Sequence, residues 1–191
     1  MFHKRLLALP FALTFCAAMS APTATHAAAP SIVPPPAVVA NLANRLTLQL
    51  SNGGTVTIQL RPDLAPNHVE RIQALVRRGF YDGLNFHRVV PGFMAQGGDP
   101  SGTGEGGSEL PDLKAEFTPL PFLRGTVGAA RTDSPDTANS QFFIMFVPNA
   151  NLDGNYTVIG RVTGGMDAVD KIAPGEPPAQ PTKIVKATLG G

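Results

Sequence analysis

The sequence predicts a mainly β domain folded as a barrel or sandwich, and three observations carry that reading. Short runs of alternating apolar and polar residues recur from residue 45 onward. Turn residues cut them at close spacing, and only two stretches have a helical period. Glycine (20) and proline (19) are frequent for 191 residues, which favours turns over long helices, while 43% hydrophobic residues suffice for a core. Two helices are too few for a βαβ architecture.

Residues 1–27 read as a removable leader rather than as fold. Lys4 and Arg5 give a basic start, residues 6–19 an apolar run, and small residues follow to Ala27, where cleavage is expected. A membrane anchor is the alternative, but the run is short of the ~20 residues a spanning helix needs, and Pro10 interrupts it. A lipid attached at Cys16 is disfavoured by the bulky Phe15 before it. The leader implies export, with the periplasm as the expected compartment and no membrane attachment after cleavage. Residues 28–44 are rich in proline and alanine, and Pro34, Pro35 and Pro36 favour an extended tether. The domain is placed at residues 45–191.

Within it, residues 45–50 (RLTLQL) and 55–60 (TVTIQL) alternate around an Asn52-Gly53 turn, a β-hairpin signature. Residues 63–79 switch to helical period: Pro66 suits a first turn, Val69, Ile72, Leu75 and Val76 form one stripe, and Gly79 can end it. A second, short helix is expected at residues 166–173. Strands are expected at residues 86–90, 93–96, 126–130, 141–147, 157–162 and 183–189.

Charge and composition exclude several functions. The whole chain has 15 basic and 14 acidic residues; without Lys4 and Arg5 it has 13 against 14. Neither balance fits a nucleic-acid protein. The one cysteine, Cys16, lies in the leader, so no disulfide or thiolate metal site is expected. Only His68 and His87 remain beyond residue 27, without a ligand motif, so neither metal nor cofactor is expected. No Gly-x-Ser-x-Gly elbow supports a serine hydrolase. Residues 102–107 (GTGEGG) spell a dinucleotide fingerprint, but Pro100 precedes it and Pro111 stands where its helix should run. A flexible surface loop is the better reading.

One constellation remains. Residues 86–100 (FHRVVPGFMAQGGDP) place a single arginine, Arg88, between two apolar strands, with Met94 and Gln96 on one strand face, and residues 140–146 (SQFFIMF) are dense in large apolar side chains. Two readings stay open on the residues alone: a phenylalanine-rich core with a surface arginine, or an apolar cleft around one fork-shaped donor.

Together with RGTVGAARTDSPDTANSQFFIMF and LDGNYTVIGRV, that stretch resembles the cyclophilin-type peptidyl-prolyl cis–trans isomerases in their bacterial form, from about Arg45 to the C-terminus. The resemblance implies a closed eight-stranded antiparallel β-barrel capped by two α-helices, acting on proline-containing polypeptides; a monomer is expected. It places Arg88 at the catalytic arginine. Phe93, Met94, Phe143 and Leu152 match the residues that receive the proline ring, and Gln96 matches the glutamine beside the substrate backbone. Ala130 and Arg131 fall where the extended substrate is paired. Tyr156 replaces the histidine of animal-type members, and Asn151 stands where many carry an aromatic that helps bind cyclosporin. The rival from another class is a proline-peptide-binding, chaperone-like module with little turnover.

Overall fold

The two alternating runs at the start of the domain form strands β1 (Arg45–Leu50) and β2 (Thr55–Leu60). Leu46 pairs with Ile58 and Leu48 with Val56, so the buried faces coincide. Gly53, at φ +83°, supplies the turn conformation that costs other residues most. The structure, a computed structural model, describes residues 30–190. The expected leader at 1–27 lies outside them.

Six further strands follow: β3 (Phe86–Val90), β4 (Met94–Gly97), β5 (Thr126–Ala129), β6 (Phe142–Met145), β7 (Val158–Gly164) and β8 (Ile184–Leu189). Each expected run is therefore a strand, with ends shifted by at most two residues. All pairings are antiparallel, in the order β3-β4-β6-β5-β7-β2-β1-β8. Register shifts at Gln49/Leu50, Thr57/Ile58, Phe86/Arg88 and Val127/Gly128 curl the sheet.

The expected closed barrel does not form. β3 and β8 are the two edges, and no ladder joins them; the start of β8 meets the residues leading into β3 through the isolated bridge Asn85–Lys183 and the bonds of Ile184 to Gly83 and Leu84. The segment before β8 occupies the edge of β3 instead. Gly175 bridges Val89, and the Thr182 carbonyl accepts from Phe86 N–H at 2.9 Å. Those groups are unavailable to a closing strand, so the sheet is an open, curled half-barrel.

Among the described residues three α-helices accompany it: α1 (Pro36–Ala40), α2 (Pro66–Arg77) and α3 (Met166–Asp170). The stripe Val69, Ile72, Leu75 and Val76 of α2 is buried, and the helix packs on β8; α3 packs on β2. Gly79, at φ +69°, follows the end of α2. α1 departs from the extended tether expected at 28–44. Pro36 occupies a first helical turn, where its missing N–H costs nothing. The stretch is also held to the domain: the buried Arg61 guanidinium donates to the carbonyls of Ser31 (2.7 Å) and Ile32 (3.1 Å).

Two apolar clusters result. One fills the concave side of the sheet and includes Leu48, Ile58, Leu75, Phe86, Phe142, Ile144 and Ile184. The other lies outside β4, β5 and β6, and it positions the site.

Candidate active site

β6 is buried along its whole length although its residues alternate faces. Phe142 and Ile144 join the inner cluster, while Phe143 and Met145 join the outer one with Met94, Phe122 and Leu152. Burial on both faces is why residues 142–145 show a continuous apolar run rather than alternation.

Strand register lines up the outer residues. Arg88 of β3 is opposite Gln96 of β4, Gln96 is opposite Phe143 of β6, and Phe143 is opposite Gly128 of β5. Opposed side chains share a face, so a guanidinium, an amide and a phenyl ring form one row. Gly128 ends it because the ring lies over its Cα. A Cβ there would collide with Phe143 Cζ and sit 2.8 Å from Phe122 Cε1. Phe122 stacks under Phe143 at 5.8 Å between centroids, and Tyr156 meets Phe143 edge-on at 5.7 Å.

The catalytic and substrate-binding candidates line one cavity of about 280 Å³: Arg88, Phe93, Met94, Gln96, Ala130, Arg131, Phe143, Leu152 and Tyr156. They come from β3, the β3–β4 turn, β4, the end of β5, β6, a 3₁₀ turn (Ala150–Leu152) and the entry to β7. The ring-sized floor is apolar: Met94, Phe143 and Leu152 are buried, whereas Arg88 is about half exposed at the rim. Arg131 contributes differently from Arg88. Its guanidinium lies 4.4 Å from the Tyr156 ring centroid and donates to the carbonyls of Thr132, Asp133 and Asn155, so it acts as a braced wall. Asn151 is the exposed middle residue of the 3₁₀ turn and does not line the cavity.

A larger trough of about 510 Å³ adjoins the cleft across Gln96, Ala130 and Arg131, and the glycine-rich loop forms its far wall. That loop is tied down rather than a free surface loop. Asp99 accepts from Ser101 N–H (2.8 Å), Ser101 Oγ (2.8 Å) and Gly104 N–H (2.6 Å). Burial raises the Asp99 pKa, but these donors outweigh it and bring the carboxyl down to about 2. His87 is buried beneath the loop near Gly104, and burial is the main reason its pKa is lowered, with Asp99 pulling the other way. Among the described residues no group of three His, Cys, Asp or Glu is placed to hold a metal.

Three neighbours of the site escaped the sequence reading. Gln141 bonds Gln96, and its parity with Phe143 on the same run could have revealed it. Phe122 lies in a stretch without periodicity (PLPFLRG), and Glu176, which pairs with Arg88, is 88 residues away from it in sequence. Neither carries a local signal.

An apolar cleft with one guanidinium at its rim, on the outer face of an open eight-stranded antiparallel half-barrel, defines a cyclophilin-like protein. The chain belongs to the cyclophilin-type peptidyl-prolyl cis–trans isomerases: the family described as cyclophilin type peptidyl-prolyl cis-trans isomerase/CLD matches residues 45–189. Its activity is accordingly peptidyl-prolyl cis–trans isomerisation. It is 52% identical over 162 residues to a probable peptidyl-prolyl cis-trans isomerase of Brucella suis biovar 1 (strain 1330), covering 76% of this chain and 82% of the relative. It is 40% identical over 128 residues to peptidyl-prolyl cis-trans isomerase B of Bacillus subtilis (strain 168), covering 66% of this chain and 89% of the relative. Among solved structures it resembles cyclophilin AquaCyp293 from Hirschia baltica, with a TM-score of 0.72, 29% identity, and coverage of 78% and 74% of the two chains. It also resembles a Cryptosporidium parvum cyclophilin type isomerase solved in the presence of the dipeptide Ala-Pro, with a TM-score of 0.71, 26% identity, and coverage of 77% and 99%.

Proposed function

We propose that the Arg88 cleft is where this isomerase rotates Xaa-Pro bonds of exported polypeptides, as a monomer in the periplasm, after residues 1–27 are removed. The observation that carries the site assignment is the pairing of a half-exposed guanidinium with a buried apolar floor in one cavity. The Ala-Pro dipeptide named for the Cryptosporidium parvum relative supports a proline ring as its occupant.

Amide resonance gives the Xaa-Pro bond a rotational barrier of roughly 18–20 kcal/mol, and uncatalysed exchange takes ~10–100 s. No covalent bond has to break, so the reaction asks for neither nucleophile nor metal. At the twisted geometry the prolyl nitrogen is pyramidal and carries a free lone pair. An N–H of Arg88 donated to that nitrogen, or to the prolyl carbonyl, favours the twisted amide over the planar one, and the partly dry site strengthens that bond. Phe93, Met94, Phe143 and Leu152 hold the ring while the preceding carbonyl swings. Gln96 and Ala130 border the path of the flanking backbone into the adjoining trough, with Arg131 and Tyr156 as its wall.

The test is a protease-coupled isomerisation assay on an Xaa-Pro peptide. Arg88→Ala should lower kcat/KM by about two to three orders of magnitude, the scale of losing one oriented transition-state donor, with Tm unchanged. Near-wild-type turnover in that variant would overturn the assignment, and peptide affinity without acceleration in the wild type would reduce the chain to a binding module. Export predicts a periplasmic mature protein starting at Ala28.

A further inference from the structure

Val89 and Gly175 exchange both backbone hydrogen bonds of an antiparallel bridge, at 2.8 and 2.9 Å. In such a pairing the residue before one partner lies opposite the residue after the other, and opposed side chains share a face. Arg88 precedes Val89, and Glu176 follows Gly175. The bridge therefore sets a carboxylate beside the guanidinium at the rim of the cleft, and Arg88 Nε–H is donated to Glu176 Oε2 at 2.7 Å.

The contact uses one end of the arginine fork only. A guanidinium has five N–H donors, and among the described residues no hydrogen bond engages the four on the Nη atoms. The other polar neighbour, Gln96, donates its amide N–H to Gln141 Oε1 and makes no hydrogen bond to Arg88 among the described residues. Arg88 is thus held at its inner nitrogen and open at its outer ones.

We propose that Glu176 is a positioning residue for the isomerase reaction. By accepting the Nε–H it fixes the guanidinium plane before substrate arrives and leaves the Nη–H donors for the twisting amide. The proposal rests on Arg88 as the catalytic group. A free arginine side chain loses considerable rotamer freedom when it must make a directed bond; a side chain already held has less to lose in the transition state. Arg88 and Glu176 are 42% and 53% exposed, so water screens their attraction and the pair adds little to stability. Its value lies in geometry.

The experiment is a set of variants of the intact chain in the protease-coupled assay. Glu176→Ala should lower kcat/KM about three- to fivefold, the rate equivalent of a well-placed exposed ion pair, mainly through kcat and with Tm unchanged. Glu176→Gln, which keeps an acceptor oxygen, should stay within about twofold of wild type. Arg88→Lys has no Nε–H, so adding Glu176→Ala to it should change nothing further. Unchanged kcat in Glu176→Ala, with Arg88→Ala inactive, overturns the positioning role alone. An equal loss from Glu176→Ala in the Arg88→Lys background also overturns it, because Glu176 then acts through something other than Arg88. Full turnover in Arg88→Ala removes the premise instead.

Discussion

Gln96 donates its side-chain N–H to Gln141 Oε1 at 2.8 Å, and Gln141 in turn donates to the carbonyls of Gly104 (2.9 Å) and Gly106 (2.8 Å). One amide chain therefore connects the row that contains Arg88 to the loop walling the adjoining trough. Asp99 holds the same loop from below through Ser101 and Gly104. The glycine-rich segment is thus a braced part of the cleft, and its glycines serve tight turns at Gly102 (φ +71°) and Gly104 (φ +93°) rather than phosphate binding.

Gln141→Ala removes all three of these bonds without touching Arg88. The expected stability loss is about 1–3 kcal/mol, the usual cost of leaving partly buried polar groups unpaired. KM for peptides long enough to enter the trough should rise several-fold, with kcat near wild type, and amide exchange should quicken across residues 102–107. Unchanged KM together with unchanged exchange would show that the amide chain does not shape the trough.

Gly128→Ala tests the row at its other end. The new Cβ meets the Phe143 ring and lies 2.8 Å from Phe122 Cε1, two rings of the outer cluster. Overpacking of this kind costs ~1–3 kcal/mol and forces a ring to shift, so Tm should fall and KM for proline peptides should rise. Gly164→Ala is the control: its Cβ would find its nearest atom, in Thr57, at 3.8 Å, an ordinary contact. Equal Tm values for the two variants would mean that the Phe143 ring does not need the space over Gly128.

The contrast between these positions shows what the sequence carried. Strands whose faces differ in environment announced themselves by alternation, as in β1 and β2, and the row Arg88, Gln96, Phe143 was readable because each residue sits within a recognisable run. Closure of the barrel was not readable. It depends on whether residues 175–182, without period of their own, pair with β3, and Val89 and Phe86 bond to that loop. The same loop carries Glu176, so the partner of Arg88 was hidden for the same reason. The proline cluster at 34–36 misled in the other direction. A proline is extended by default but is also well suited to a helix start, and the acceptors offered to Arg61 and Gln59 favoured docking.

Asp99 predicts acid sensitivity with a definite sign. Its folded pKa, about 2, lies below the ordinary value of 3.8 that the unfolded chain should show. The ionised carboxylate thus contributes stability that is fully present above about pH 4 and is lost as pH falls towards 2, roughly 2 kcal/mol in all. Asp99→Asn should lower Tm at neutral pH and flatten its dependence on pH across that window. Some slope will remain. Asp82 and Asp170 are held low by hydrogen bonds from Lys186 and Arg124, and in Glu116 the bonds from His68 and Asn67 outweigh burial. A Tm profile in Asp99→Asn that parallels wild type between pH 2 and 4 would contradict the assignment.

Arg61 is the hinge pin of the N-terminal segment. Its side chain is 6% exposed and its donors are shared between Asp63, at 2.8 and 2.9 Å, and the carbonyls of Ser31 and Ile32. Two of the four hydrogen bonds on this buried guanidinium reach Ser31 and Ile32, joining the residue after β2 to a stretch in which Ile32 and Val33 are exposed. Arg61→Ala leaves the carboxylate of Asp63 without its cation. Breaking a fully buried pair costs roughly 3–5 kcal/mol, and because Asp63 is 23% exposed the loss should fall near the lower figure. Release of the segment should be larger than the change in the sheet: limited proteolysis should cleave before Asn41 many times faster, while proline isomerisation on short peptides persists, because no residue of 30–44 lines the cleft. Arg61→Lys, with a single ammonium in place of the fork, should fall between the two. Equal proteolysis of wild type and Arg61→Ala would mean that α1 and Gln59, which donates to the Val38 carbonyl, hold the segment without the guanidinium.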